Sequence, residues 1–190
     1  NNAPPLESFT PQELRELRAK MAETPVELRV KIEQVEDLFL NGTLGPIKVR
    51  KYSNNPLKNS NKKDPLIIYF HGGGFVMGDL ESHDLVCRHL CKESEATIIA
   101  VDYKLAPENK FPAPIIDMKD SITEIIKDAD NLNIDKEKVI LCGDSAGGAL
   151  ATVGAIMSRD KLIPKVHGQI LVYPWAVSYT HLRAHETKPN

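Results

Sequence analysis

The stretch "ILCGDSAGGALATVG", Ile140–Gly154, decides how the rest of the chain is read. A serine stands between glycines in G-x-S-x-G spacing, after an apolar run and before a run of small apolar residues. The first run reads as a buried strand and the second as a buried helix. A strand turning at once into a helix, with only Gly143 and Gly147 where the two crowd together, would present Ser145 at the tip of a nucleophile elbow. The start of the helix places a partial positive charge where an oxyanion would develop. The competing reading is an incidental glycine-rich turn, so the motif needs support from elsewhere in the chain.

That support comes from "YFHGGGF", Tyr69–Phe75, which follows an apolar run and precedes a helical pattern. This is the position of a loop that donates oxyanion-hole amides. Consecutive glycines let backbone N–H groups turn toward a ligand without obstruction by side chains. The alternatives are a flexible turn or a phosphate loop. The stretch has neither a G-x-x-x-x-G-K-[ST] pattern nor a dinucleotide fingerprint with a ribose-binding acid downstream.

Strand and helix patterns alternate around these two loops. Short strands are expected at Val35–Leu40 and Ile47–Tyr52, joined by the turn "NGTLGP", and Ser53–Pro65 reads as a polar loop. Further strands are expected at Leu66–Phe70, Thr97–Tyr103, Lys138–Cys142 and Gly168–Trp175. Helices are expected at Glu81–Glu95, Pro112–Ala129 and from Ser145 to about Ser158. This alternation predicts a mostly parallel sheet covered on both faces. An earlier helix starts at "FTPQEL": Thr10 caps it, Pro11 takes the first position and Glu13 completes a capping box. Phe9 and Leu14 have the spacing of a hydrophobic staple. Leu14, Leu17 and Met21 form its apolar stripe, Arg15 and Arg18 lie off it, and Pro25 ends it.

The whole chain has 190 residues, 42% hydrophobic and 26% charged, which suits one soluble globular domain. A net charge of −2 gives no pull toward nucleic acid or anionic membrane. No apolar run is long enough to span a bilayer, and the N-terminus lacks the pattern of a signal peptide. Three cysteines make no disulfide framework and suit a reducing cytoplasm.

In order along the chain, "HGGGF", "VDYKLAPENKFPAP" and "GDSAGG" resemble the hormone-sensitive-lipase-like branch of the α/β-hydrolases, whose bacterial members are carboxylesterases. The resemblance runs from Pro4 to Trp175 and is far more specific than any one motif. It implies an α/β-hydrolase fold, a helical cap, and hydrolysis of a small acyl ester through an acyl-enzyme, with no cofactor or metal. It makes Ser145 the nucleophile and assigns the oxyanion hole to the N–H groups of Gly73, Gly74 and Ala146. His71 would organise the glycine loop and not serve as the base. Residues 1–34 would be N-terminal cap helices, and 35–176 a partial hydrolase core lacking the last strands of the sheet. Lys104 stands where arginine is usual, at a position that is structural in that family.

A serine hydroxyl attacks poorly unless a base takes its proton, and in this family the triad runs Ser, acid, His. After Trp175 comes "AVSYTHLRAHETKPN", which has two histidines and no aspartate. Val177–Thr187 is similar to the conceptual translation of a transposon-end adapter used for sequencing libraries, so 177–190 is expected to be foreign sequence. His181 and His185 are then accidental, although His185 as base remains a hypothesis. Asp160, the only aspartate after Ser145, falls too early to be the triad acid.

His83, Cys87 and Cys91 share one helix face at i, i+4, i+8, but no fourth metal ligand is evident, and packing by small apolar thiols explains them better. Cys142 reads as core. Asp144 adjoins Ser145, but adjacent side chains diverge on a tight elbow, so it reads as structural. Asp102, Glu108 and Asp117 read as loop and helix anchors. The expected protein is therefore a serine carboxylesterase, inactive as this chain stands and with an aggregation-prone edge at Gly168–Trp175. The alternatives are a small-molecule-binding protein on the same scaffold, or an amidase or deacetylase.

Overall fold

The computed structural model of the protein describes residues 8–22, 28–55 and 63–176. Helix α1 (Pro11–Ala22) is followed by strands β1 (Gln34–Leu40), β2 (Ile47–Ser53) and β3 (Asp64–Phe70). Helix α2 (Asp84–Ser94), β4 (Thr97–Asp102), α3 (Ala113–Lys127), β5 (Ile134–Asp144), α4 (Ala146–Arg159) and β6 (Gly168–Val172) complete the order. The strands form one six-stranded sheet in the order β1-β2-β4-β3-β5-β6. β1, β2 and β4 pair antiparallel, whereas β4, β3, β5 and β6 run parallel.

Alternation along the strands sends side chains to two cores. Leu66, Ile68 and Phe70 of β3 join Ile99 and Val101 against Met118, Ile122 and Ile125 of α3 and Leu150 and Ala151 of α4. Ile67 and Tyr69, with Ile98 and Ala100, face the other way onto Cys87 and Cys91 of α2. A near-continuous apolar strand such as β3 is the mark of a sheet covered on both faces. The chain therefore adopts the expected α/β architecture.

Three boundaries differ from those expected by three residues or more, each for a local reason. α2 starts at Asp84 and not at Glu81. Asp79 and Ser82 bond reciprocally, Asp79 N–H to Ser82 Oγ at 2.9 Å and Ser82 N–H to Asp79 Oδ1 at 2.7 Å, so this stretch forms a turn. β5 begins at Ile134, which pairs with Asp64; the register then shifts so that Leu66 meets Val139. The charged stretch Asp135–Lys138 fills that irregularity, with Asp135 Oδ1 accepting the Glu137 N–H at 3.0 Å. β6 ends at Val172, because the chain turns at Tyr173 (φ 36°) and Trp175 N–H bonds back to the Ser145 carbonyl at 2.9 Å.

α1 has the expected capping box: Glu13 accepts the Thr10 N–H at 2.7 Å, and the Glu13 N–H reaches Thr10 Oγ1 at 3.3 Å. The apolar stripe does not anchor this helix. Leu14 is half-buried, but Leu17 is 43% exposed, and Arg15, expected to face away, makes the contacts instead. The Met21 side chain, Pro25 and the tail 177–190 with His181 and His185 lie outside the described residues. Within 1–34 the described residues contain one α-helix.

Candidate active site

β3 and β5 are parallel neighbours, with Phe70 paired to Gly143. Their carboxyl ends therefore release His71–Gly72 and Asp144–Ser145 side by side, at the end of the sheet where parallel α/β folds place ligands. The central strands, with both faces covered, hold that edge rigid.

Ser145 has φ 51° and ψ −114°, a conformation that L-residues rarely adopt. Such a backbone costs roughly 1–3 kcal/mol and persists only where neighbours impose it. Here they do. The Ser145 N–H donates to Val172 O at 2.9 Å, and its carbonyl accepts from Trp175 N–H at 2.9 Å and Ala149 N–H at 3.1 Å. Glycines make room beneath: a Cβ on Gly147 would overlap the Phe70 carbonyl, and one on Gly143 would overlap the backbone of Gly147. Ser145 is partly exposed, and its hydroxyl has no hydrogen-bond partner among the described residues.

Asp144 ties the two loops together. Its Oδ1 accepts the Tyr69 hydroxyl at 2.6 Å and the Gly72 N–H at 2.9 Å, with His83 Nε2 3.5 Å away. Burial would raise its pKa, but the bonds from His83, Tyr69 and Gly72 prevail and hold it at about 2. Its structural role agrees with the expectation from sequence. Tyr69 and His83, which the sequence reading did not link to it, are the partners that make the role possible.

His71 is buried, stacks on Tyr103 with ring centroids 4.3 Å apart, and has Nδ1 2.8 Å from the Gly72 carbonyl. The Tyr103 hydroxyl donates to His71 O at 2.6 Å. Burial pushes the imidazole pKa down to about 4, so the ring is neutral at ordinary pH. The loop then closes on itself, Val76 and Met77 both donating to Gly73 O at 3.1 and 3.0 Å. Gly73 and Gly74 have φ of 126° and 64°, and a Cβ on Gly73 would strike the Met77 carbonyl. Among the described residues the N–H groups of Gly73, Gly74 and Ala146 have no hydrogen-bond partner, and Ala146 stands at the first position of α4.

The remaining candidates fall elsewhere. Asp117 is fully buried and accepts the Lys104 N–H at 2.9 Å, with the ammonium 3.4 Å away. Glu108 pairs with Arg15, and burial raises the Asp102 pKa to about 6. Cys87, Cys91 and Cys142 are buried free thiols. Among the described residues no cluster of His, Cys, Asp or Glu could hold a metal ion, and no helix is long and apolar enough to cross a membrane. Asp160 bonds to the neighbouring Arg159 guanidinium, and His167 precedes β6, at the end of the sheet away from Ser145.

Comparison with known proteins agrees with this fold. A family described as having the alpha/beta hydrolase fold matches residues 67–190, a range that takes in the tail. The chain is 40% identical over 141 residues to esterase LipI of Mycobacterium tuberculosis, covering 74% of this chain and 44% of LipI. Among solved structures, an esterase from Pyrobaculum calidifontis superposes with a TM-score of 0.80 at 40% identity, covering 89% of this chain and 54% of that one. EstE1, a thermostable carboxylesterase cloned from a metagenomic library, gives a TM-score of 0.84 at 33% identity, covering 94% and 60%. The chain thus spans about half the length of these relatives. With the sheet order, the elbow and the glycine loop in place, the chain belongs to the α/β-hydrolase fold family, in the esterase branch that resembles hormone-sensitive lipase.

Proposed function

We propose that this chain carries the nucleophile and oxyanion half of a carboxylesterase site. Ser145 Oγ attacks the carbonyl of a small acyl ester, the alcohol leaves, and water releases the acid from the acyl-enzyme. The N–H groups of Gly73, Gly74 and Ala146 hold the tetrahedral oxyanion. The observation that carries this reading is the Asp144 bridge: its bond to Gly72 N–H fixes the glycine loop against the elbow bearing Ser145. The unpartnered amides on both turns and the unpartnered Ser145 hydroxyl support it.

No described histidine hydrogen-bonds to Ser145. We therefore infer that residues 8–176 alone turn over esters at no more than the residual rate an oxyanion hole supplies, about 10³–10⁴ over water. The test separates the hole from the base. At pH 9–10 hydroxide takes over proton removal, so incubation with an activated acetate ester should acylate Ser145 faster than any other serine, read by peptide mass spectrometry. Ser145→Ala should abolish that adduct, and His185→Ala should leave it unchanged. Equal labelling of all exposed serines would remove the assignment.

A further inference from the structure

The Arg15 guanidinium makes four hydrogen bonds to three residues, each more than sixty positions away from it in sequence. Nε donates to the Val76 carbonyl at 2.7 Å, one Nη to the Ala106 carbonyl at 2.7 Å, and both Nη groups grip the Glu108 carboxylate at 2.9 and 2.7 Å. Val76 is one of the residues that close the turn on Gly73. Ala106 bonds directly to that turn, its N–H donating to Phe75 O at 2.8 Å. The planar fork thus spans α1, the outer wall of the glycine loop and the link between β4 and α3. A lysine, which offers a single charged point, could not hold all three.

The geometry points to Arg15 as a positioning residue for the oxyanion loop, an inference that rests on the hydrolase reading above. Asp144 holds the start of the loop from the elbow side, at Gly72, and Arg15 holds its far side, at Val76. Gly73 and Gly74 lie between the two grips. Both are in backbone conformations that glycine leaves soft, so the direction of their amides depends on the anchors at either end. Glu108 keeps the guanidinium in the plane that reaches both carbonyls. Docking of α1 is thereby coupled to the aim of the amides that would receive the oxyanion.

The experiment is amide hydrogen exchange on the full chain, with Arg15→Ala and Arg15→Lys beside the unaltered protein, alongside the rate of Ser145 acylation at pH 9–10. In Arg15→Ala the Met77 and Ala106 amides should exchange about tenfold faster or more while those of β3, β5 and α4 keep their rates, and acylation should slow about tenfold. Arg15→Lys should fall between, because it restores one contact. Loop amides that keep their original rates, with faster exchange confined to α1, would overturn the proposal and leave Arg15 a docking residue only. Uniformly faster exchange, in β5 as much as in the loop, would overturn it too. If the unaltered chain shows no selective acylation, the hydrolase reading fails, yet exchange still decides whether Arg15 holds the loop.

Discussion

The Gly72 N–H donates to Asp144 Oδ1 across 2.9 Å, and the same oxygen accepts the Tyr69 hydroxyl at 2.6 Å. Asp144→Ala would leave two buried donors without an acceptor, at roughly 1–3 kcal/mol each. The expected loss is about 3 kcal/mol at pH 7 by urea denaturation, with Ser145 acylation slowed. Asp144→Asn keeps an acceptor and should lose less. With the folded-state pKa held at about 2 against an ordinary 3.8, the charge contributes fully above pH 4 and progressively less as pH falls toward 2. The gap between the original protein and Asp144→Ala should narrow over that range. A constant gap would mean that the carboxylate charge contributes nothing.

Gly147 and Gly74 separate steric need from conformational need. A Cβ on Gly147 meets the Phe70 backbone, which cannot move without breaking β3–β5 pairing. A Cβ on Gly74 meets nothing within 4 Å, but φ there is 64°. Gly74→Ala should therefore cost only the left-handed penalty, about 1–2 kcal/mol. Gly147→Ala should cost more than about 3 kcal/mol or prevent folding. Thermal melts of the two variants rank them, and equal melting points would contradict the packing account.

Two titratable groups, the buried His71 and the half-buried Asp102, give pH slopes of opposite sign. Burial lowers His71 from 6.5 to about 4, so its contribution is complete above pH 6.5 and is lost as pH falls toward 4. Burial, with the Asp79 charge adding to it, raises Asp102 from 3.8 to about 6. The folded state then holds a proton that the unfolded chain releases, so stability is lost as pH rises from 3.8 toward 6. The slopes oppose each other between pH 4 and 6. Asp102→Asn should raise stability at pH 7 by about 2 kcal/mol and leave the rising His71 slope exposed. Denaturation curves at half-unit pH steps check both statements; an unchanged slope in the variant would count against them.

β6 is one of the two edge strands among the described residues and exposes Ile170 (41%), Val172 (39%) and, just beyond it, Tyr173 (74%). An unpaired apolar edge invites pairing with other chains. Ile170→Lys should reduce concentration-dependent association, read by light scattering at several protein concentrations, without lowering the melting point. Association that persists unchanged would place the sticky surface elsewhere.

The motifs made the sheet, the elbow and the glycine loop legible, because G-x-S-x-G and HGGG state local backbone needs that only glycine meets. The parts missed depend on contacts between distant segments. Nothing local marks Tyr69 as a donor to Asp144; strand alternation shows only that it faces the α2 side. Arg15 read as a solvent-facing residue because the helical period predicts burial from apolar positions, whereas α1 docks through a guanidinium. β5 started earlier than its apolar run because Ile134 pairs with Asp64 across a register shift that no residue pattern announces.

The bond from Gly72 to Asp144 joins residues 72 positions apart in the chain. Everything that forms α2, β4 and α3 lies between them, so the bond can close only after that long loop has been ordered, an entropic cost that grows with loop length. Contacts of such long range form slowly. During synthesis the glycine turn would wait, unanchored on its inner side, until β5 had emerged and paired. Reactivity at Ser145 would then appear in step with completion of the central sheet, making it a reporter of native folding kinetics.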